Sequence, residues 1–239
     1  MMKRSVAVLA LLLIACGKTN AAAIEELKPR YEPIRKNLDA LAAHLGDAVV
    51  EAPLKGVVFD EANDAVGTAT FLMPEQLKDP DLSVRRDDAA YVKRFDPIAG
   101  GDFLYCLNWT GPKNPMGEGA MSSRNGDSLK TQCERAAAQT KYVVVVETVS
   151  SVVPTLVSDG QFVGGMADLR VTVFDFPTQR AVSRFEVHGQ PDQVVNVRVK
   201  PGESKAVEAA LSVHSSMWVD ARKKLFDGLK QRGASITRR

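Results

Sequence analysis

The chain has 239 residues, 45% of them hydrophobic and 25% charged, which is apolar material enough for one large domain or two small ones. Its 31 Lys and Arg stand against 29 Asp and Glu, a net charge of +2, so nucleic-acid binding has no electrostatic support.

At the start, Lys3 and Arg4 precede an apolar run over residues 6–14 (VAVLALLLI) that is too short to span a bilayer as a mature helix. The run closes on Leu13-Ile14-Ala15-Cys16 and is followed by Gly17. An aliphatic residue, a variable one, a small one and then cysteine, behind a basic start, resembles the lipobox of bacterial prolipoproteins. The resemblance covers about the first sixteen residues. It implies cleavage between Ala15 and Cys16, a lipid on Cys16, and a mature chain held to a membrane of the bacterial cell envelope through several acyl chains. With Gly rather than Asp at position 17, the periplasmic face of the outer membrane is expected over the inner membrane. Loss of residues 1–15 takes Lys and Arg from 31 to 29, level with the 29 Asp and Glu, so the mature chain is neutral before its histidines.

Residues 16–23 read as a lipidated tether and residues 24–46 as a helical segment. Ile24, Leu27, Tyr31, Ile34, Leu38, Leu41 and Leu45 fall at alternating steps of three and four, a stripe for one helix face. Pro29 and Pro33 argue against one straight helix, and Pro33 fits the first position of a helix over residues 33–45, ended by Gly46. Residues 47–233 then form a single α+β domain. Within it, residues 57–73 are expected to give a hairpin, or a loop and one strand, and residues 74–82 a turn and short helix. Residues 87–95 are expected to be a brief helix, and residues 102–109 (DFLYCLNW) a strand carrying Cys106. The Gly- and Pro-rich residues 110–127 read as an exposed loop, and residues 128–140 as a helix with Leu129, Cys133, Ala136 and Ala137 on one face.

The unbroken valines at 143–146 indicate a strand covered on both faces. Residues 168–176 give a second strand, and the alternating residues 180–188 a third, nearer an edge. Connections this short require antiparallel pairing. Another strand is expected over residues 194–199. Residues 203–232 carry the clearest helical pattern, with Val207, Leu211, His214, Trp218, Leu225 and Leu229 as its stripe and Ala210, Met217, Ala221 and Phe226 beside it, and residues 234–239 read as a disordered tail. The fold class that follows is α+β: a mainly antiparallel sheet packed by a long C-terminal helix and one or two further helices.

With Cys16 assigned to lipid, Cys106 and Cys133 remain as an even pair in an exported chain and read as a disulfide. The rival reading, two free thiols or a redox pair, lacks CxxC spacing. No P-loop, dinucleotide fingerprint, nucleophile elbow, HExxH or EF-hand loop is present. No catalytic residue, cofactor or metal ligand is therefore assigned, and His214 reads as a packed histidine. Residues 160–165 (GQFVGG) read as a loop or bulge joining strands rather than a phosphate cradle. The basic C-terminal part, Arg222 to Arg239, reads as a solvated helix face or a contact for anionic head groups. The function expected is a non-catalytic binding or scaffolding lipoprotein with a partner in the envelope, met by a sheet edge or the 110–127 loop. An envelope hydrolase and a small-ligand or lipid carrier stay open beside it.

Overall fold

The computed structural model describes residues 20–60, 68–79, 102–111, 126–158, 161–192 and 204–237. In chain order the elements are α1 (Asn20–Ala43), β1 (Val58–Asp60), β2 (Ala69–Leu72), α2 (Pro74–Lys78), α3 (Asp102–Thr110), α4 (Gly126–Gln139), β3 (Tyr142–Val152), β4 (Thr155–Ser158), β5 (Gln161–Val163), β6 (Met166–Asp175), β7 (Arg180–Gly189), α5 (Lys205–Gln231) and β8 (Ser235–Thr237). The fold is α+β. Its centre is a sheet in the order β2-β3-β6-β7, antiparallel from β3 onward, with β1 paired to β8 and β4 to β5 in two smaller sheets. Four described helices accompany α5, of which α3 is the one expected as a strand.

The valine run does what a continuous β-branched segment allows. Val143 and Val145 join a core with α1, α3 and α4, while Val144 and Val146 join a second core under α5. All four are essentially fully buried, so β3 is covered on both faces over this stretch. β7, with its alternating burial, is the outermost strand. β2 lies parallel to β3 rather than antiparallel, because the connection between them is a long crossover that carries α2, α3 and α4.

Several expectations are corrected. Residues 57–73 form no hairpin, since β1 pairs with β8 and β2 with β3. Residues 102–109 are helical: Phe103, Leu104, Cys106, Leu107 and Trp109 turn into the core while Tyr105 points outward, and a short mixed apolar run cannot be told from a strand by period alone. Pro29 and Pro33 lie inside one helix that starts at Asn20. Both sit on its exposed side, four residues apart, where water can satisfy the carbonyls they leave unbonded. An internal proline costs about 3 kcal/mol and a buried large apolar side chain contributes about 1.5–3 kcal/mol. Leu27, Tyr31, Leu38 and Leu41, all buried, together outweigh the two prolines. The C-terminal tail is also ordered to Thr237, because Ser235–Thr237 pairs with Val58–Asp60 and the Ser235 amide donates to the Val57 carbonyl at 2.9 Å.

α5 buries the expected Leu225 and Leu229, with Met217, Ala221 and Phe226 that flank the predicted stripe, but its first turns face differently. Val207 and Leu211 are exposed by 55% and 51%, and the buried row is Ala209, Val213, Met217, Ala221, Leu225 and Leu229, with Phe226 beside it. Steps of four trace one inclined ridge of a helix, so α5 crosses the strands at a tilt with small residues at its closest approach. A cysteine at 16, the short helix over 87–95, most of the 110–127 loop and the strand over 194–199 fall outside the described residues.

Candidate functional site

The helices α1 to α4 cover only the first rows of their face of the sheet. Val143, Phe174 and Ala181, paired across β3, β6 and β7, belong to that core. In the next row Arg184 is committed, its Nε donating to Thr172 Oγ1 at 3.2 Å and its Nη2 to the Leu45 carbonyl at 2.7 Å. Beyond it, the described residues leave the face bare.

Two polar rows occupy the bare part. Glu147, Arg170 and Glu186 lie opposite one another, with Arg170 at 3.2 Å from Glu147 and 4.0 Å from Glu186. The following row is Ser150, Asp168 and His188. Ser150 reaches it through the register shift between Thr148 and Ser150. The extra residue, Val149, resets the alternation, so Ser150 shares a face with Glu147 instead of pointing toward α5. Ser150 Oγ then donates to Asp168 Oδ2 at 2.6 Å, and His188 Nδ1 lies 2.7 Å from Asp168 Oδ1.

These side chains are between 40% and 66% exposed where their ion pairs are concerned, and the face carries three carboxylates against one guanidinium. The Ser150 hydroxyl holds the Asp168 carboxyl below its ordinary range, with His188 adding to the effect. A lowered folded value means that the contribution of Asp168 to stability is present above the ordinary carboxylate pKa and is lost as pH falls through the folded value. Ser150→Ala is expected to move the Asp168 titration upward, read by carboxyl carbon NMR, and to make acid unfolding begin at higher pH.

The trio is not a nucleophile–base arrangement. In that arrangement the hydroxyl bonds the imidazole, whereas here the carboxylate sits between the two. Its effect is to orient the His188 ring. In the neutral ring, facing an ionised Asp168, Nδ1 is the donor and Nε2 an acceptor. His214 lies elsewhere, half-buried, accepting the Trp218 indole N–H at 2.8 Å, and His44 pairs with Asp47 at 2.7 Å. The three histidines are not brought together, and among the described residues no group of three or more His, Cys, Asp or Glu could share a metal ion.

Beside these rows β3 runs past the end of β2. β2 ends with Leu72 opposite Val145, and residues 146–151 of β3 have no strand on that side among the described residues. The ladder stops for a local reason: Pro74 lacks an amide, and the Met73 amide donates to Gln76 Oε1 at 2.8 Å as α2 begins. A groove of about 390 Å³ follows the edge, lined by Met73, Pro74 and Glu75 on one side and residues 146–151 on the other. A second hollow, of about 470 Å³, lies between β7 and α5. Arg232 stacks 4.1 Å over the Phe185 ring, and Lys224 binds Asp220 at 2.8 Å and the His188 carbonyl at 2.9 Å. Beside it, Ala221, Leu225, Phe226 and Leu229 pack α5 onto the sheet.

Of the residues expected to matter, Cys16 lies outside the described residues. Cys106 and Cys133 are joined, their Cα atoms 5.5 Å apart, linking α3 to α4 rather than a strand to a helix. Residues 161–163 of the glycine-flanked stretch form β5, and Gly164 and Gly165 follow with φ of +83° and +79°. In the basic C-terminal part, Arg222 lies over Phe226 at 5.9 Å, while Lys223 and Lys230 are exposed.

No family model, no curated protein and no solved structure matches the chain. No helix among the described residues is long and apolar enough to cross a membrane.

Proposed function

We propose that the chain is a lipoprotein of the bacterial envelope, anchored through lipid on Cys16, whose folded domain binds another envelope protein along a sheet edge. The lipobox-like run supports the anchor. The observation that carries the binding role is that β2 ends opposite Val145 while β3 runs on to Val152 with no further strand on that side among the described residues, beside a polar face. Backbone amides and carbonyls on such an edge form a ready template for an added strand, which gives a binding module a site with no catalytic group in it.

Intact mass of the membrane-extracted protein tests the anchor. The expected species begins at Cys16, carries two or three acyl chains, and takes up alkylating reagent at Cys106 and Cys133 only after reduction. Exchange of residues 1–16 for an ordinary cleavable export signal is expected to release the protein into the soluble periplasmic fraction. An unacylated chain found wholly in the soluble fraction sinks the reading.

The Asp168–His188 pair favours a second reading, an envelope hydrolase with His188 as general base. It requires turnover of cell-wall fragments by the purified protein that disappears in His188→Ala.

A further inference from the structure

We infer that the outward ridge of α5 pairs with the same ridge of a second copy of this chain, the two helices running antiparallel about a two-fold axis beside Ser215. The second copy is a partner in addition to the one proposed above, and nothing in the pairing depends on that reading.

Three observations define the occupant. The first is an apolar row that the fold leaves in water. Val207, Leu211 and Val219 are exposed by 55%, 51% and 65%, and with Ser215 and Lys223, also exposed, they step by four along the helix. Each stands two residues from a member of the buried row Ala209, Val213, Met217 and Ala221, which on an α-helix is the opposite side. A helix that covers a sheet ordinarily turns polar residues outward, and an apolar row there marks a contact surface.

The second is shape. Ser215, the smallest side chain of the row, stands at its middle, with Leu211 and Val219 on either side of it and Val207 and Lys223 at the ends. Turned end for end, the row fits itself. Leu211 comes beside Val219 of the second copy and Val207 beside the methylene stem of its Lys223, while the serine lets the axes approach to about 8–10 Å.

The third is charge, which chooses the direction. Glu208 adjoins Val207 at one end of the row, Lys223 closes the other, and neither forms an ion pair among the described residues. Antiparallel pairing sets Glu208 of each copy against Lys223 of the other, whereas parallel pairing sets like against like.

The test uses full-length protein in detergent micelles and the single variants Val207→Cys, Ser215→Cys and Lys223→Cys. Each is treated with a short bismaleimide and read as covalent dimer above the background of the unsubstituted chain. Ser215→Cys is expected to give dimer. Across the axis, positions 207 and 223 lie about 20 Å or more from their own copies, so Val207→Cys and Lys223→Cys are expected to give dimer only when mixed. Equal yield from all three alone means parallel pairing or chance collision, and it overturns the inference, as does no dimer from Ser215→Cys.

In the Ser215→Cys background, Leu211→Lys is expected to abolish the dimer while leaving the circular dichroism unchanged. Glu208→Lys is expected to lower the yield about fivefold or more at low salt, and adding Lys223→Glu to restore it. A dimer that survives Leu211→Lys, or a charge loss that the exchange does not restore, overturns the pairing. Restoration is an outcome that misfolding cannot produce. Crosslinking of Ser215→Cys in intact envelopes is expected to give the same dimer, and adducts with other proteins alone assign the ridge elsewhere and overturn the inference.

Discussion

Replacing Cys106 and Cys133 together by serine is expected to lower the unfolding free energy by about 3–4 kcal/mol, the loop-closure estimate for cysteines 27 positions apart. In urea this is a fall of about 1–2 M in the midpoint for a slope of about 2 kcal/mol/M. The bond lies in the core: both cysteines are fully buried, and the Cys133 carbonyl accepts the Tyr31 hydroxyl at 2.8 Å. It therefore joins α3 to α4 at the point where α1 crosses them. Reduction of the native protein is expected to be slow and then to produce the same loss. A loss under about 1 kcal/mol would mean that packing among Leu107, Leu129 and Phe103 alone holds the two helices.

What the sequence disclosed and what it withheld divide along physical lines. β3, β6 and β7 were legible because β-branched runs and period-two alternation are local properties, and Tyr142–Val152 needs no distant partner to read as a strand. α3 was not, because Phe103 to Trp109 is too short and too uniformly apolar to reveal a period, and its helicity comes from packing on α1 and α4. The continuity of α1 through Pro29 and Pro33 depends on which side faces water, and that is decided by tertiary contacts. The candidate site was the least legible part. The groove beside β3 exists because β2 stops at Leu72 while β3 continues, a difference between two strands that pair across a long crossover. The Ser150–Asp168–His188 row depends on the bulge at Val149, which reverses the parity that any alternation count assumes. A polar position at every second residue of β6 and β7, Asp168 and Arg170 with Glu186 and His188, was the available signal that one face of the sheet meets water.

Gly189→Val is expected to destabilise the protein by about 2–3 kcal/mol, seen as a fall of about 5–10 °C in melting temperature for a chain of this size. A Cβ at 189 would stand 2.7 Å from Ala221 Cβ and 3.0 Å from the Met217 carbonyl, and neither can rotate away. No left-handed backbone is involved, so the cost is steric and falls on the distance between β7 and α5. Gly228 provides the contrast. Its Cβ would meet the Phe185 ring at 2.5 Å, but in mid-helix an alanine gains about 1 kcal/mol of helix propensity, which offsets part of the clash. Gly228→Ala is therefore expected to cost less than Gly189→Ala. A cycle with Ala221→Gly decides the mechanism. If Gly189 fixes the approach of α5, removing the Ala221 methyl restores most of what Gly189→Ala loses, a coupling of about 1–2 kcal/mol. Additive losses would mean that α5 slides on its inclined ridge to accommodate the methyl. The consequence reaches the polar rows, because β7 carries His188 next to Gly189 and α5 holds the His188 carbonyl through Lys224 at 2.9 Å. A helix that slides would move His188 away from Asp168, so the Asp168 titration in Gly189→Ala reports the same choice from the other face of the sheet.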